Sequence, residues 1–357
     1  MTTTDDSRRQ QSPAGDARPP IFETRDLSVH FRVDGPDGKV TVRALDGIDF
    51  TLHEGEIAAL VGESGSGKTT LARVFSLIHA PTGGEVEVGG VPLKRAAQDE
   101  RAYYRHVQLI FQDPFNSLNA LKKIRHILER PVRIHRIAKG RRAVSEKVLE
   151  LLERVNLSPA SRYVDRYPTD LSGGQRQRVA IAKSLSVSPK VLLADEPTSM
   201  LDASIRLEVL NLLTDLREHE GLAVLYITHD IASARYISDR INVMYGGRII
   251  EAGPTEQIIN DPVHPYTRLL IDAAPDPAHF KGSGHSAAVS SSTAAPVDNS
   301  IEVVGCRFAN RCPLARPECT STPVPRYVSP DGREVLCVLG EDRPEFAPTP
   351  PAASAAR

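Results

Sequence analysis

The 357-residue sequence contains no apolar run near the roughly 20 residues that a membrane-crossing helix requires. It has no charge excess either: 44 Lys+Arg stand against 45 Asp+Glu, a net charge of −1. Sequence-independent binding to DNA or RNA rests on a basic surplus, which is missing here. No apolar segment follows the charges of the opening stretch MTTTDDSRRQQSPAGDARPP, so it does not read as a secretory signal. There is no internal repeat, and no cysteine precedes residue 306. These absences argue against a membrane-spanning chain, a polyelectrolyte binder and an exported protein, and any work at a membrane falls to partners. What is present, 40% hydrophobic and 25% charged residues, is the composition of a water-soluble globular chain with ample material for a core.

Residues 1–20 are polar and Pro-rich and read as a disordered tail. Across 21–261, short apolar segments alternate with longer amphipathic ones, the pattern of an α/β layer protein. Ile57–Val61, Val107–Phe111, Val191–Ala194 and Ala223–Ile227 are candidate strands, short and predominantly apolar as strands covered on both faces are. Between Asn119 and Tyr167 charged helical segments such as Glu146–Val155 take over, and about 113–188 reads as a helical subdomain inserted into the α/β body. Residues 262–300 form an extension and linker, rich in Ala, Ser, Gly and Pro from Ala274 to Ser300. A small module, 301–340, holds all four cysteines, and the Pro/Ala-rich stretch 341–357 reads as a second disordered tail.

Gly62-Glu63-Ser64-Gly65-Ser66-Gly67-Lys68-Thr69, followed by Thr70, fits G-x-x-x-x-G-K-[ST] between a strand and a helical run. Glycines let successive N–H groups turn inward, and the following helix aims its positive end at the same point, which makes an anion site. Lys68 is placed to reach the β- and γ-phosphates of a nucleotide and the Thr69 hydroxyl to hold Mg²⁺. The competing reading, a Gly-rich turn that binds nothing, does not account for the strand and helix on either side.

Asp195 and Glu196 end the apolar run Val191–Ala194, and ligands of open α/β sheets bind at that edge. Asp195 is placed to hold Mg²⁺, directly or through water, and Glu196 to polarise an attacking water. Alone, the pair reads equally well as helix-capping acids. His229, just past Ala223–Ile227, is placed for the γ-phosphate or the water, although a lone histidine at a strand end is more often structural. Gln112, after Val107–Phe111, offers an uncharged donor and acceptor for Mg²⁺ or the water.

Leu171-Ser172-Gly173-Gly174-Gln175-Arg176-Gln177-Arg178 resembles the signature motif of ABC-type ATPases. Ser172 can cap a helix whose first N–H groups Gly173 and Gly174 leave uncovered, an anion site without a lysine of its own. The order of phosphate loop, Gln112, signature, Asp195-Glu196, Ser199-Met200-Leu201-Asp202 and His229 is similar to that family over about 21–261. The resemblance implies an ABC-type P-loop NTPase fold, with a RecA-like core and an inserted helical subdomain. It also implies binding and hydrolysis of ATP with Mg²⁺, catalysis by Glu196, His229, Gln112 and Lys68, and an aromatic under adenine, for which Phe31 is the candidate. In such proteins one cassette's signature, here Ser172, Gly173, Gly174 and Gln175 with Asp202, closes over nucleotide held by a second cassette's phosphate loop. Met200 stands where the family usually has alanine, and only a packing adjustment is expected from it.

Phe111-Gln112-Asp113-Pro114-Phe115-Asn116-Ser117-Leu118-Asn119 and His264-Pro265-Tyr266-Thr267-Arg268-Leu269-Leu270 are similar to ATP-binding subunits of oligopeptide/dipeptide (and nickel) importers. That resemblance implies an ATPase subunit peripheral to the cytoplasmic face of the cell (inner) membrane. Its partners would be an identical or homologous second ABC ATPase subunit, two integral membrane permease subunits and an extracytoplasmic substrate-binding protein acting through them. The region after Gln112, through the helical insert, would receive a coupling helix of the permease. Import of nickel or another small solute is an alternative cargo. A soluble ABC ATPase acting on ribosomes or nucleic acid is a reading from another class, opposed by the single cassette and balanced charge, and an exporter's cassette is opposed by the C-terminal module.

Cys306, Cys312, Cys319 and Cys337 use every cysteine of the chain. A reducing compartment disfavours disulfides. Four thiolates suit tetrahedral Zn²⁺ or a [4Fe–4S] cluster. The tight C-x2–4-C knuckles usual for zinc are missing, so the spacing favours the cluster over zinc or four unligated thiols. Some importers of the branch that the chain resembles carry such a cluster in this segment.

Overall fold

An apolar strand buried on both faces needs a layer on each side, and the four apolar runs meet that need by lying next to one another. The computed structural model describes residues 18–35, 38–113, 117–274, 299–300 and 303–349. Its strands are β1 (Pro20–Gly35), β2 (Gly38–His53), β3 (Ile57–Val61), β4 (Gly83–Val88), β5 (Val91–Pro92), β6 (Val107–Ile110) and β7 (Val191–Asp195). They continue with β8 (Ala223–Thr228), β9 (Arg240–Tyr245), β10 (Arg248–Pro254), β11 (Arg326–Val328), β12 (Glu334–Leu336) and β13 (Ala347–Pro348). The expected strands are thus β3, β6, β7 and β8, each within one residue of its predicted ends.

The large sheet runs β13-β11-β12-β10-β9-β3-β8-β7-β6, parallel from β9 to β6 and antiparallel beyond. Along the central strands burial alternates strictly between two cores. Ile57, Ala59, Val61, Leu192, Ala194 and Val224 face one, and Ala58, Leu60, Val191, Leu193 and Leu225 face the other. The second face is covered by helix α1 (Lys68–Phe75) and by the antiparallel sheet β2-β1-β4-β5, through Phe22, Leu27, Leu45 and Phe75.

The inserted segment supplies α2 (Ile124–Ile134) and α3 (Arg141–Arg154). In α3 the buried residues Val144, Val148, Leu151 and Leu152 repeat at helical spacing and form one stripe. Helix α4 (Gly173–Leu185) begins at the signature and buries Val179, Ile181 and Leu185 in the same cluster as α2, α3 and the sheet. The insert therefore shares one continuous core with the body. Helices α5 (Ala203–Glu220) and α6 (Ile231–Ile237) complete that layer.

Three boundaries differ from expectation. The first tail was expected to reach residue 20, but the Pro19 carbonyl accepts the Glu54 N–H and Pro20 pairs with His53 at the start of β1. The linker runs largely outside the described residues, as do 1–17 and 114–116. Beyond it, the cysteine segment is a continuation of the large sheet, because β12 pairs with β10 at Glu251↔Val335 and Ala252↔Glu334. The second tail was expected from 341, yet Phe346 is buried beside Tyr327, Val335 and Cys337, and β13 pairs with β11. An apolar side chain with a pocket to fill overrides the Pro-rich composition around it, and Pro348 sits on the outermost strand, where its missing N–H is tolerated.

Candidate functional site

The phosphate loop leaves β3 at Val61 and enters α1 at Lys68. Two of its glycines are dictated by space. A Cβ on Gly62 would lie 2.1 Å from the Met244 carbonyl oxygen. Gly67 caps α1 in left-handed backbone (φ +106°), and a Cβ there would lie 2.3 Å from the Ala44 carbonyl oxygen. Ser64 and Gly65 form the exposed tip, whereas Ser66 is buried and its carbonyl accepts the Gly247 N–H. Lys68 Nζ folds back into the loop and donates to the carbonyls of Gly62 and Glu63, at 2.8 Å each. Burial lowers its pKa, against the nearby carboxylates of Glu196, Asp195 and Glu63. Thr70, behind Thr69, is half-buried.

Three neighbouring parallel strands end beside this loop. Asp195, the last residue of β7, is buried and accepts the Thr69 hydroxyl at 3.1 Å. Burial raises its pKa, and Glu196 adds to the rise. Glu196 follows in left-handed backbone (φ +46°), an unusual state for a side-chain-bearing residue, with its N–H on the Ile227 carbonyl at 2.9 Å. Its carboxylate is held from both sides: Gln112 Nε2 donates to Oε2 at 2.9 Å, and His229 Nδ1 lies 3.2 Å from Oε1. Gln112 follows β6 and His229 follows β8, so Gln112, Asp195, Glu196, His229 and the loop converge at one sheet edge.

The other expected residues are placed as follows. Ser172 caps α4, its hydroxyl accepting the Gln175 N–H at 3.3 Å while Gln175 Oε1 accepts the Ser172 N–H at 3.1 Å, a reciprocal capping box. Gly173 has no atom nearer than 3.9 Å to a built Cβ, but Gly174 is buried and a Cβ there would meet Ile205 Cγ2 at 2.3 Å. Gly174 is thus demanded by packing against α5, a duty in addition to leaving helix N–H groups uncovered. Asp202 caps α5 by accepting the Ile205 N–H at 3.0 Å. Met200 is 56% exposed, so the expected packing adjustment does not occur within the chain. Phe31, on β1, meets His79 edge-on at 5.1 Å between centroids.

The four cysteines line one pocket together with His264, and none is disulfide-bonded. Cys306 donates its N–H to the Cys319 carbonyl at 2.7 Å, and the Arg316 N–H points at the Cys319 sulfur at 3.3 Å. Burial raises the pKa of Cys306 and Cys312 and pushes that of Cys337 up to about 12, with the other three thiols adding to the rise at Cys337. Among the described residues, no three His, Cys, Asp or Glu side chains converge on a single-ion site. His264, buried, accepts the Tyr266 N–H on Nδ1 at 3.0 Å, which assigns its proton to Nε2, 3.9 Å from the Cys306 sulfur. Burial presses its pKa down to about 3, so the ring is neutral.

Sequence reasoning assigned no role to His264, Tyr266, Glu251, Asn299 or Arg311. The Glu251 carboxylate, buried, accepts the N–H groups of Val263 (2.7 Å) and His264 (3.0 Å), which fixes the turn leading into helix α7 (Pro265–Asp272). Asn299 donates to the Gly65 carbonyl at 3.2 Å, and Arg311 pairs with Glu63. The residue types alone give no signal for these contacts, since each spans a long sequence separation.

Residues 45–199 match a family model described as ABC transporter, and residues 250–319 match one described as oligopeptide/dipeptide transporter, C-terminal region. A di/tripeptide transport ATP-binding protein, DppF of Pseudomonas aeruginosa, is 41% identical over 320 residues, covering 89% of this chain and 97% of its own. The oligopeptide transport ATP-binding protein OppF of Escherichia coli is 39% identical over 316 residues, covering 86% and 92%. Among solved structures, the dimeric post-hydrolysis state of the ATP-binding cassette MJ0796 bound to ADP and Pi is 29% identical. It superposes with a TM-score of 0.59, covering 66% of this chain and 99% of that one.

Proposed function

Because the chain belongs to the ATP-binding subunits of oligopeptide/dipeptide ABC transporters, we propose that it converts ATP binding and hydrolysis into the import of short peptides. It is an ABC ATPase coupled to transport. The observation that carries the catalytic reading is the Glu196 carboxylate, gripped by Gln112 and His229 at the edge where Lys68 and the Thr69–Asp195 pair also end. The loop Gly62–Thr70 is assigned to receive the β- and γ-phosphates on its backbone N–H groups, that of Glu63 excepted because it donates to the Tyr266 hydroxyl, and Lys68 exchanges its two carbonyl partners for phosphate oxygens. Thr69, Asp195 and Gln112 are the residues that would hold Mg²⁺, which neutralises phosphate charge when bound. Glu196 orients and polarises the attacking water, and His229 steadies that carboxylate beside the γ-phosphate. Phe31 is assigned to the adenine ring.

A cassette of this kind works in pairs. Ser172, Gly173, Gly174, Gln175 and Asp202 of one copy, or of a homologue, are assigned to cover the nucleotide held by the other, as the dimeric MJ0796 cassette supports. Among the described residues no helix is long and apolar enough to cross a membrane. The translocation path is assigned to two permease subunits fed by an extracytoplasmic binding protein, with this chain docked on the cytoplasmic side of the inner membrane. Glu196→Gln is expected to keep ATP binding, cut turnover by about 100-fold or more and lock a dimer. Lys68→Ala is expected to abolish nucleotide binding. Undiminished turnover in either variant, measured as phosphate release, would remove the corresponding assignment.

For the cysteines we favour a [4Fe–4S] cluster, held by Cys306, Cys312, Cys319 and Cys337, over zinc. Four thiols ringing one pocket suit a cuboidal group. When bound, such a cluster supplies a rigid four-way crosslink between the loops that carry its ligands. Anaerobically purified protein should be brown and carry about four iron atoms per chain, both lost in Cys306→Ser. A colourless, zinc-loaded protein would overturn the preference.

A further inference from the structure

Arg311 joins the cysteine segment to the nucleotide site. It closes the 3-10 turn Ala309–Arg311, which lies between Cys306 and Cys312. Its terminal nitrogens reach both carboxylate oxygens of Glu63, at 2.9 and 3.0 Å. The guanidinium lies over the rings of Tyr245 and Phe308, its central carbon 5.8 and 5.7 Å from their centroids, and it also donates to the Tyr245 hydroxyl at 3.3 Å. A planar fork placed against two rings has few orientations left, and the one it adopts is bidentate toward the carboxylate.

Glu63 is held at two further atoms. Its N–H donates to the Tyr266 hydroxyl at 2.9 Å, and its carbonyl accepts Lys68 Nζ at 2.8 Å. Tyr266 itself packs edge-on against Tyr245 and Phe308, with centroids 4.6 and 5.4 Å away. Side chain and amide of the residue that seats the loop lysine are therefore both fixed from the C-terminal extension. The electrostatics point the same way. Glu63 is a negative charge within the loop that must accept a triphosphate, and unpaired it would repel that ligand.

We propose that Arg311 is a positioning residue for ATP: through the Glu63 carboxylate, and with Tyr266 on the Glu63 amide, the cysteine segment sets the shape and charge of the phosphate loop. This rests on the phosphate-loop assignment above. The consequence is that nucleotide affinity responds to the state of the cysteine segment, although no cysteine touches the nucleotide site.

The test uses the full-length purified chain, a fluorescent ATP analogue for affinity and phosphate release for kcat and KM. Arg311→Ala should raise Kd and KM about fivefold, as loss of a partly exposed bidentate pair does, while kcat stays within about twofold. Arg311→Lys, which keeps the charge and loses the fork, should restore part of the affinity. In a Glu63→Gln background, where the carboxylate is already gone, Arg311→Ala should shift Kd by less than about twofold. Wild-type affinity in Arg311→Ala, or an equal loss in both backgrounds, overturns the inference. If Arg311→Ala does not fold, Arg311→Lys carries the same comparison against Glu63→Gln. Lys68→Ala separates the two layers: if it retains affinity, the phosphate-loop assignment fails, whereas unchanged Arg311→Ala beside inactive Lys68→Ala removes only the role of Arg311.

Discussion

At the scale of single residues, Gly174 shows how one letter of a motif carries a duty that the motif does not display. Its Cβ-free face is filled by Ile205, whose branched side chain is stiff on a helix and cannot turn aside. Gly174→Ala should therefore lower stability by about 2 kcal/mol, as overpacking does, read as the urea midpoint. Adding Ile205→Ala should return most of that loss. If Gly174→Ala left the midpoint unchanged, packing would not be the reason for the glycine. Glu196 was legible as a carboxylate at a strand end, but its left-handed backbone was not, because that conformation is imposed by the Ile227 carbonyl on the neighbouring strand. Arg311 could not be found from sequence at all, since nothing local distinguishes it from the other arginines of its segment.

At the scale of elements, the cysteine segment is fastened to the cassette by side chains as well as by the β12–β10 ladder. Arg307 pairs with Asp46 and Arg326 with Asp49, both on β2. Asp261 accepts two hydrogen bonds from Arg343, at 2.8 and 3.1 Å, and one from Arg333 at 3.0 Å. The Arg343 bond, helped by Arg333, holds the Asp261 carboxylate below its usual range, against a smaller opposing effect of burial. A carboxylate whose folded pKa is depressed adds stability above its unfolded value, near pH 4, and that stability fades as pH falls toward the folded value. Because Asp261 is half-exposed the contribution is modest, under about 1 kcal/mol. The β11 and β12 amides should exchange faster relative to their intrinsic rates, that is with smaller protection factors, below about pH 4 in the wild type. Asp261→Asn should show part of that quickening already at neutral pH; identical protection would remove Asp261 as a fastener. The central strands were legible because a run buried on both faces is predominantly apolar. The fastening strands were not, because three residues are too short for a periodic signal and their partners lie far away in sequence.

At the scale of the whole molecule, a parallel sheet bearing the glycine-rich loop continues, by antiparallel strands, into the segment with the cysteines. The composition break between them is real in the sequence and does not mark a mechanical break in the fold. The sequence reading of the cysteine segment as a separate module therefore missed its union with the sheet. It is the ladder and the long-range arginine pairs that make the union, and neither leaves a mark in composition. One outcome concerns attempts to isolate the engine by itself. A chain cut after residue 274 would bare the flank of β10 that β12 covers, leaving unsatisfied amide and carbonyl groups ready to zip onto a neighbouring molecule. Such a shortened protein should scatter light and precipitate at concentrations where the longer chain stays clear.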